Sequence, residues 1–271
     1  DKDMKLNGGG SLDRFLTMAW RRVYLSNLPQ EKENGYKIKV RDSKTRFFKE
    51  YMEFLSPFNV SGTKFIVERM SAPNTEDIVN TYLPSERRVR RFSAKERADR
   101  FMGSTGTLDD IEGFSGRVLD YTWTLLSEKE IFAISDSIHT FAPAYYGPYS
   151  RVPQDNWQLR DTFVVKGESV WDGNPVKTKI IFFDKETFNI PLALQFDSTG
   201  KLWKVLQTVH RKPSGENDEA HYVPIFLGMT IIDRLANIAT TASSLTKNSY
   251  PGITPREVKK VFSVSALNEG Q

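Results

Sequence analysis

Short apolar segments separated by turn-forming residues dominate the second half of this chain. They cover residues 157–167, 176–183, 190–196 and 202–212. The connectors between them contain Asp, Asn, Gly and Pro, which favour tight turns. Short segments at such regular spacing predict consecutive antiparallel strands. Residues 180–183 are apolar at every position, so we expect that strand to be central and covered on both faces.

The first half of the chain shows a similar alternation of apolar and polar residues. Strands are predicted at residues 36–40, 50–55, 63–69, 78–83 and 87–92, and then at 119–126 and 129–135 on either side of a short turn. The longest apolar runs, residues 220–232 and 235–246, are too short and too polar for a membrane helix, which needs ~18–20 apolar residues.

One apolar stripe predicts a helix over residues 11–25, with Ser11 as its N-cap. The residues at helical spacing are Leu12, Phe15, Leu16, Ala19, Trp20 and Val23. We expect this helix, in an N-terminal helical segment of residues 1–33, to pack on the sheet; the alternative is a movable lid over a cavity. Shorter helices are predicted at residues 107–111 and, from the capping box that begins at Thr254, through Phe262.

These elements predict an α+β fold that is mainly β: one large curved antiparallel sheet with helices on one side. No linker divides the chain of 271 residues, so we expect a single domain over residues 1–271. The long loop at residues 137–156 carries several aromatic residues and prolines and is expected to be packed. A second loop, residues 213–220, is polar and expected to be exposed.

The sequence lacks the residue patterns of the common catalytic and metal sites. It has no cysteine, which excludes disulfides, thiolate metal ligands and cysteine nucleophiles. The three histidines, His139, His210 and His221, lie at none of the usual metal-ligand spacings. No phosphate-binding loop, dinucleotide fingerprint or nucleophile motif occurs. We therefore expect no metal, no cofactor and no enzymatic activity.

Positive charge is concentrated in one short stretch, residues 87–100, where seven basic residues face only two acidic ones. The whole chain carries a net charge of +4, so the remainder is close to neutral. Three interpretations remain open: a solvated or acid-paired strand, a contact with anionic lipid headgroups or a phosphate group, and, least favoured without a binding motif, nucleic acid. The candidates for a headgroup or partner contact are Arg88, Arg90 and Arg91.

Aromatic residues on the predicted strands are the other candidate feature. A packed core is the default explanation, and a cavity for a lipid or acyl chain inside a curved sheet is the alternative. The candidates for contact with hydrophobic cargo are Trp123, Phe132, Phe182, Phe196 and Trp203.

Several motifs resemble those of a known group of bacterial proteins. The stretches FLSPFNVSGT, YLPSERRVRRF, FMGS and LDDI, in this order between residues 54 and 111, resemble proteins called outer-membrane lipoprotein-sorting-like. The stretches LLSEKEIF, IIFFDKETFNIPLALQFDSTGKLWKV and FSVSAL resemble the domain-of-unknown-function family numbered 1329. Where the family pattern has an aspartate after FMGS and an aromatic residue before DD, this chain has Thr105 and Leu108.

This resemblance implies the fold of periplasmic lipoprotein carriers, the LolA-like superfamily. Their sheet is an unclosed, strongly curved β-barrel with helices covering the concave face. The resemblance also implies an exported protein of a Gram-negative bacterium, with its signal peptide removed, in the periplasm or associated with the outer membrane. It carries no catalytic residues.

The leading functional expectation is a non-enzymatic carrier or accessory protein for a lipid, a lipoprotein acyl chain or another hydrophobic cargo. Its expected partners are an inner-membrane transporter and an outer-membrane partner, and not nucleic acid. The alternatives are an envelope structural or docking protein that serves a transporter without cargo of its own, and an enzyme of an unrecognised class.

Overall fold

The structure is a computed structural model that describes residues 2–8, 11–26, 43–93, 96–148, 151–212, 224–244 and 253–268, with side chains from residue 12 onward. The described strands are β1 (Lys2–Gly8), β2 (Ser11–Tyr24), β3 (Arg46–Ser56), β4 (Lys64–Met70), β5 (Ile78–Leu83), β6 (Arg88–Phe92), β7 (Tyr121–Ala133), β8 (Tyr145–Tyr146), β9 (Val152–Pro153), β10 (Gln158–Ser169), β11 (Thr178–Asp184), β12 (Leu192–Phe196), β13 (Leu202–Arg211), β14 (Ile225–Asp233) and β15 (Ile238–Ser244). The described helices are α1 (Pro255–Val261) and the 3-10 helices Glu96–Ala98, Phe101–Gly103, Leu108–Gly113, Val118–Asp120 and Val264–Leu267.

The chain is mainly β, and its antiparallel strands form a large curved sheet that is not closed into a barrel. This confirms the predicted fold class. Within the described residues, all of the helices are short. The chain divides into two compact units. The first unit comprises residues 1–2, 16–96 and 250–271, and the second unit comprises residues 3–15 and 97–249. No helix within the described ranges is long and apolar enough to cross a membrane.

In the first unit, the strands follow the hydrogen-bonded order β6-β5-β4-β3-β2. One face of these strands packs against α1 and the 3-10 helix Val264–Leu267. The core between them contains Val23, Tyr51, Ile66, Phe262 and Leu267, all at most 9% exposed. As predicted, α1 begins with a capping box. The Thr254 hydroxyl accepts a hydrogen bond from the backbone N–H of Glu257, which satisfies a donor of the first helical turn.

In the second unit, the strands follow the order β1-β15-β14-β13-β12-β11-β10-β7. The 3-10 helix Leu108–Gly113 packs on one face of this sheet, against β13 and β14. The core there contains Ile181, Ile190, Ala193, Leu206 and Ile231, with Phe114 and Trp123 packed at its margin. Strand β11 lies between β10 and β12 as predicted, although Ile180 and Phe183 keep some exposure.

The predicted N-terminal helix over residues 11–25 is wrong, because residues 11–24 form strand β2. The strand pairs antiparallel with β3 from Thr17 opposite Ser56 to Tyr24 opposite Phe48. A helical apolar stripe does not exclude a strand, since side chains at every second position also share a face. On β2 this places Val23 in the core, and Leu25 continues the same face just beyond the strand end. Pairing with a neighbouring strand overrides the local helical pattern.

Two predicted strands on either side of a turn, at residues 119–126 and 129–135, are a single strand, β7. The polar residues near position 128 do not mark a turn but lie on an exposed edge strand. No residue of β10 lies opposite Leu126 in the strand register, because Ser127 pairs with Val164 and Leu125 with Val165 across a β-bulge. The apolar runs at residues 220–232 and 235–246 contain β14 and β15, which the sequence pattern did not identify as strands.

The remaining strand predictions are confirmed in strands β3–β6 and β10–β13, with ends that differ by at most four residues. The predicted helix at residues 107–111 is the 3-10 helix Leu108–Gly113. The predicted strand at residues 36–40 and the predicted exposed loop at residues 213–220 lie outside the described residues.

Candidate functional site

A groove of 730 Å³ opens between the sheet of the first unit and its C-terminal helices. Two rows of cross-strand neighbours form its floor, because residues opposite each other in register share a face. The first row is Ala19, Glu53, Lys64 and Tyr82, and the second contains Arg21 and Tyr51. The roof consists of Lys260, Val261, Ala266 and Leu267.

Two loops line the groove where β3 and β5 end. Ser61 and Gly62 come from the loop between β3 and β4, and Pro84 and Arg87 come from the turn between β5 and β6. Gly62 has a φ of +79°, which favours glycine, and a Cβ there would lie 3.3 Å from Cγ of Pro84. Glycine at position 62 therefore lets the two loops approach each other closely.

Arg87 also has a left-handed backbone, with a φ of +48°. Its N–H donates hydrogen bonds to the carbonyl oxygens of Leu83 (2.9 Å) and Pro84 (3.3 Å). This conformation is uncommon for a residue with a side chain. The turn between β5 and β6 nevertheless holds Arg87 in this conformation at the groove.

The groove lining combines apolar side chains with an excess of positive charge. Among the described lining residues, the cations are Arg21, Lys64, Arg87 and Lys260, and Glu53 is the sole carboxylate. The Tyr51 hydroxyl donates a hydrogen bond of 2.7 Å to Glu53. Arg21, Arg87 and Lys260 form no ion pair with any residue that the structure describes. The lining can therefore receive an anion beside an apolar surface.

The predicted arginine site does not coincide with this groove. Arg88 and Arg90 point away from it and pair with Glu86, at 2.8 and 3.0 Å. The hydrogen bond from Arg88 and the charge of Arg90 lower the pKa of Glu86. Arg91 is exposed on β6 and does not line the groove. The headgroup role of these three residues stays a prediction.

Arg87 is the arginine of this stretch that lines the groove, and it was not among the residues predicted to contact a headgroup. Arg87 lies in the turn before β6 and has a left-handed backbone, so the alternation of side chains along a strand does not place it. No local signal in the sequence therefore identifies it. Two further arginines of the stretch are structural. Arg97 pairs with Asp109 and Asp120, and Arg100 pairs with Asp233.

The five aromatic residues predicted to contact cargo do not share one surface. Trp123 lies opposite Gly167, which lies opposite Lys179, so these three share one face of the second unit. Phe182 and Phe196 belong to the other face, because their positions on the β11–β12 ladder are offset from Lys179 by odd numbers of residues.

Phe132 is 68% exposed on edge strand β7. Trp203 adjoins the bulge of β13, where the Lys204 ammonium lies 4.7 Å from the centre of its ring. Cargo binding at the five aromatic residues stays a prediction.

A buried charge cluster in the second unit joins the LDDI motif to the sheet. The Asp110 carboxylate lies 3.4 Å from the ammonium groups of both Lys179 and Lys204, and it accepts a hydrogen bond from Gln195. Burial by itself would raise the pKa of Asp110, but the two ammonium groups outweigh this effect and lower the pKa to about 2. Burial opposes the charge of Lys179, whereas Asp110 raises the pKa of that lysine.

This cluster fastens the 3-10 helix Leu108–Gly113 to strands β11, β12 and β13. Thr105, which replaces the aspartate of the family pattern, has a similar role. Its N–H donates to the Thr240 hydroxyl, and its own hydroxyl donates to the Ile231 carbonyl oxygen. Both sets of contacts are internal to the second unit.

Three of the sequence stretches that carry the family resemblance converge at the groove. FLSPFNVSGT supplies Ser61 and Gly62, YLPSERRVRRF supplies Tyr82, Pro84 and Arg87, and FSVSAL supplies Ala266 and Leu267. Among the described residues, no group of three or more His, Asp or Glu side chains could hold a metal ion.

The fold of this chain is similar to that of three solved structures. A candidate outer membrane lipoprotein-sorting protein domain from Vibrio parahaemolyticus has a TM-score of 0.68 at 16% identity, over 99% of this chain and 89% of that chain. A DUF1329 family protein from Desulfovibrio piger has a TM-score of 0.67 at 18% identity, over 98% and 89%. A LolA superfamily protein from Nitrosomonas europaea has a TM-score of 0.53 at 11% identity, over 98% and 89%.

The family model described as "Protein of unknown function (DUF1329)" matches residues 7–268, and the chain therefore belongs to this family. No curated protein matches the chain. The predicted resemblance is thus confirmed, both in its family and in its structural neighbours.

Proposed function

We propose that this protein is a non-enzymatic periplasmic carrier for a lipid, a lipoprotein acyl chain or another hydrophobic cargo between the inner and outer membranes. The observation that carries the proposal is the groove in the first unit. Its volume of 730 Å³ falls in the range of small-molecule binding sites, about 300–1,000 Å³. The likeness of the fold to that of the lipoprotein-sorting domain and the LolA superfamily protein supports it.

The apolar part of the groove suits an acyl chain. Ala19 on the floor and Val261 on the roof are partly exposed, and the buried Tyr82, Ala266 and Leu267 complete the apolar lining. An acyl chain gains about 0.8 kcal/mol for each methylene that leaves water. A chain of ordinary length therefore needs to bury only part of its methylenes here to bind.

The roof of the groove is built from a short element. A helix of seven residues such as α1 is not stable in isolation, so packing of Val258 and Phe262 on the core holds it in place. Separation of the roof from the floor would leave the hydrogen bonds between strands intact. The proposed route of cargo entry is this separation.

The test is lipid recovery combined with a change that fills the groove. The protein, exported to the periplasm of a Gram-negative host, is purified without detergent and analysed by native mass spectrometry and solvent extraction. We expect co-purified lipid, and we expect the purified protein to bind a fluorescent fatty acid. Ala19→Trp, on the groove floor, should reduce binding of the probe at least tenfold.

The matched control is Leu159→Trp, which adds the same ring at an exposed position of the second unit, 55% exposed. It should leave binding unchanged. Absence of bound lipid together with equal probe binding by wild type and Ala19→Trp would overturn the carrier proposal.

The exposed edge of the second unit favours a second candidate function, an envelope docking protein without cargo of its own. Strand β7 ends the strand order, and Leu125, Leu126 and Phe132 on it are at least 50% exposed. An exposed strand edge with apolar side chains can pair with a strand of a partner. Crosslinking from a photoreactive residue at position 132 in intact envelopes would test this role; crosslinks to one membrane protein, with no lipid recovered, would support it.

A further inference from the structure

We propose that the groove of the first unit selects amphiphiles that carry a phosphate group, with Arg87 at its centre and Arg21, Lys64 and Lys260 as the accompanying cations. This inference rests on the proposed function for the position of the acyl chain. It adds the chemical class of the cargo, which the fold alone does not specify.

The first argument is the charge of the lining. Three partly buried arginines of the first unit are neutralised by neighbouring carboxylates: Arg22 pairs with Glu50, Arg46 with Glu68 and Arg69 with Asp77. The groove cations Arg21, Arg87 and Lys260 have no such partner among the described residues. Even if Glu53 fully compensates Lys64, its cross-strand neighbour, three positive charges face the same space.

The second argument is the geometry of Arg87. Its backbone is left-handed, yet the turn from Pro84 holds it at the groove, while its neighbour Arg88 is turned outward to Glu86. The planar guanidinium donates two parallel hydrogen bonds to a pair of phosphate oxygens, which the ammonium group of a lysine does not. A phosphate with up to two negative charges matches three cations better than a carboxylate with one.

The third argument is the position of these cations beside apolar surface. Arg21 lies next to Tyr51 on the floor, and Lys260 precedes Val261 on the roof. A ligand with one anionic end and one hydrocarbon end satisfies both parts of such a lining. A free phosphate would leave the apolar part unused.

The experiment compares four ligands with the full chain, at low salt and below their micelle concentrations, by isothermal titration calorimetry. They are a monoacylglycerol phosphate, the neutral monoacylglycerol and the fatty acid with the same acyl chain, and inorganic phosphate. We expect the monoacylglycerol phosphate to bind at least tenfold more tightly than each of the other three. Added salt should weaken its binding and leave the neutral lipid unaffected.

Arg87→Glu and Arg88→Glu form a matched pair, since they make the same charge change at adjacent positions of one turn. Arg87→Glu should remove the preference for phosphate, so that the monoacylglycerol phosphate binds no more tightly than the neutral monoacylglycerol. Arg88→Glu should retain the preference. Arg87→Gln, with thermal unfolding monitored by circular dichroism, checks that the loss reflects charge and not a failure to fold.

The outcomes separate this inference from the proposed function. Equal binding of the phosphate-bearing and neutral lipids, or of the fatty acid, would overturn the phosphate selectivity and leave the carrier function standing. No binding of any acyl ligand would overturn both. Binding of inorganic phosphate as tight as that of the amphiphile would make the groove a site for free phosphate. Loss of the preference in Arg88→Glu but not in Arg87→Glu would place the contact outside the groove and overturn the assignment.

Discussion

The Asp110 carboxylate lies between the ammonium groups of Lys179 and Lys204, 3.4 Å from each, in an environment where none of the three side chains is more than 2% exposed. Two buried cations share one buried anion, so the cluster keeps an excess of positive charge. Its stability depends on the carboxylate, because removal of one member of a buried ion pair leaves a charge without compensation.

Asp110→Asn is therefore expected to lower the free energy of unfolding by about 3–5 kcal/mol, the usual cost of breaking a buried ion pair. Urea unfolding followed by tryptophan fluorescence measures the change. Asp172→Asn, at an exposed position, is the matched control and should have no measurable effect. Equal stability of the two variants would show that the buried cluster does not hold the second unit together.

The same carboxylate makes stability depend on pH. The pKa of Asp110 falls from an ordinary value of 3.8 to about 2 in the folded protein, so the unfolded chain binds its proton more readily. The contribution, about 2 kcal/mol, is complete above pH ~4 and is lost as the pH falls towards 2. Unfolding free energies measured at pH 6 and pH 2.5 should differ less in Asp110→Asn than in the wild type. An identical acid dependence in both proteins would contradict this assignment.

Alanine substitutions at Gly62 and Gly200 distinguish the cost of backbone strain from the cost of close packing at the groove. Gly62→Ala should cost about 1–2 kcal/mol for the left-handed backbone, plus the cost of moving Pro84, which would lie 3.3 Å from the new Cβ. Gly200→Ala is the control, because Gly200 has a φ of +76° and no atom within 4 Å of its Cβ position. Thermal unfolding should show the larger loss for Gly62→Ala. A larger loss for Gly200→Ala would remove the packing role of Gly62.

The arginine-rich stretch is expected to contain both structural and dispensable residues. Arg97 is 7% exposed and pairs with Asp109, at 3.3 Å, and with Asp120. Arg97→Met should therefore destabilise the protein by about 3 kcal/mol, because two partly buried carboxylates lose the guanidinium that they share. Arg88→Met, at an exposed position, should leave the midpoint of chemical unfolding unchanged within error. Comparable losses in both variants would show that the stretch acts as one unit.

Much of the fold was predictable because its signals are local. Strands β10–β13 are bounded by turn residues, and the capping box at Thr254 begins α1 as expected. These signals depend on neighbours a few residues away, which the sequence displays directly. A local signal also gave the wrong prediction at residues 11–25, where an apolar stripe at helical spacing indicated a helix. There, pairing with β3 decided the outcome, and that partner is more than 20 residues distant.

The sequence predicted the types of residue that the candidate site uses, but not which residues form it. The sequence shows a concentration of arginines and a supply of aromatic residues, but it does not show which of them meet. Arg88 and Arg90 pair with Glu86, and Arg97 pairs with Asp109 and Asp120. Of the arginines in residues 87–100, only Arg87 is among the described residues that line the groove.

By itself, the sequence determined that this protein is mainly β, with short turns and a small C-terminal helix, because turn chemistry and side-chain alternation act over a few residues. Tertiary structure alone decided that residues 11–24 form a strand and that Arg87, Lys64 and Lys260 line one groove. The physical reason is distance along the chain. The groove joins strands, loops and helices whose lining residues lie between Ala19 and Leu267. Only strand register and the packing of the C-terminal helices bring them together.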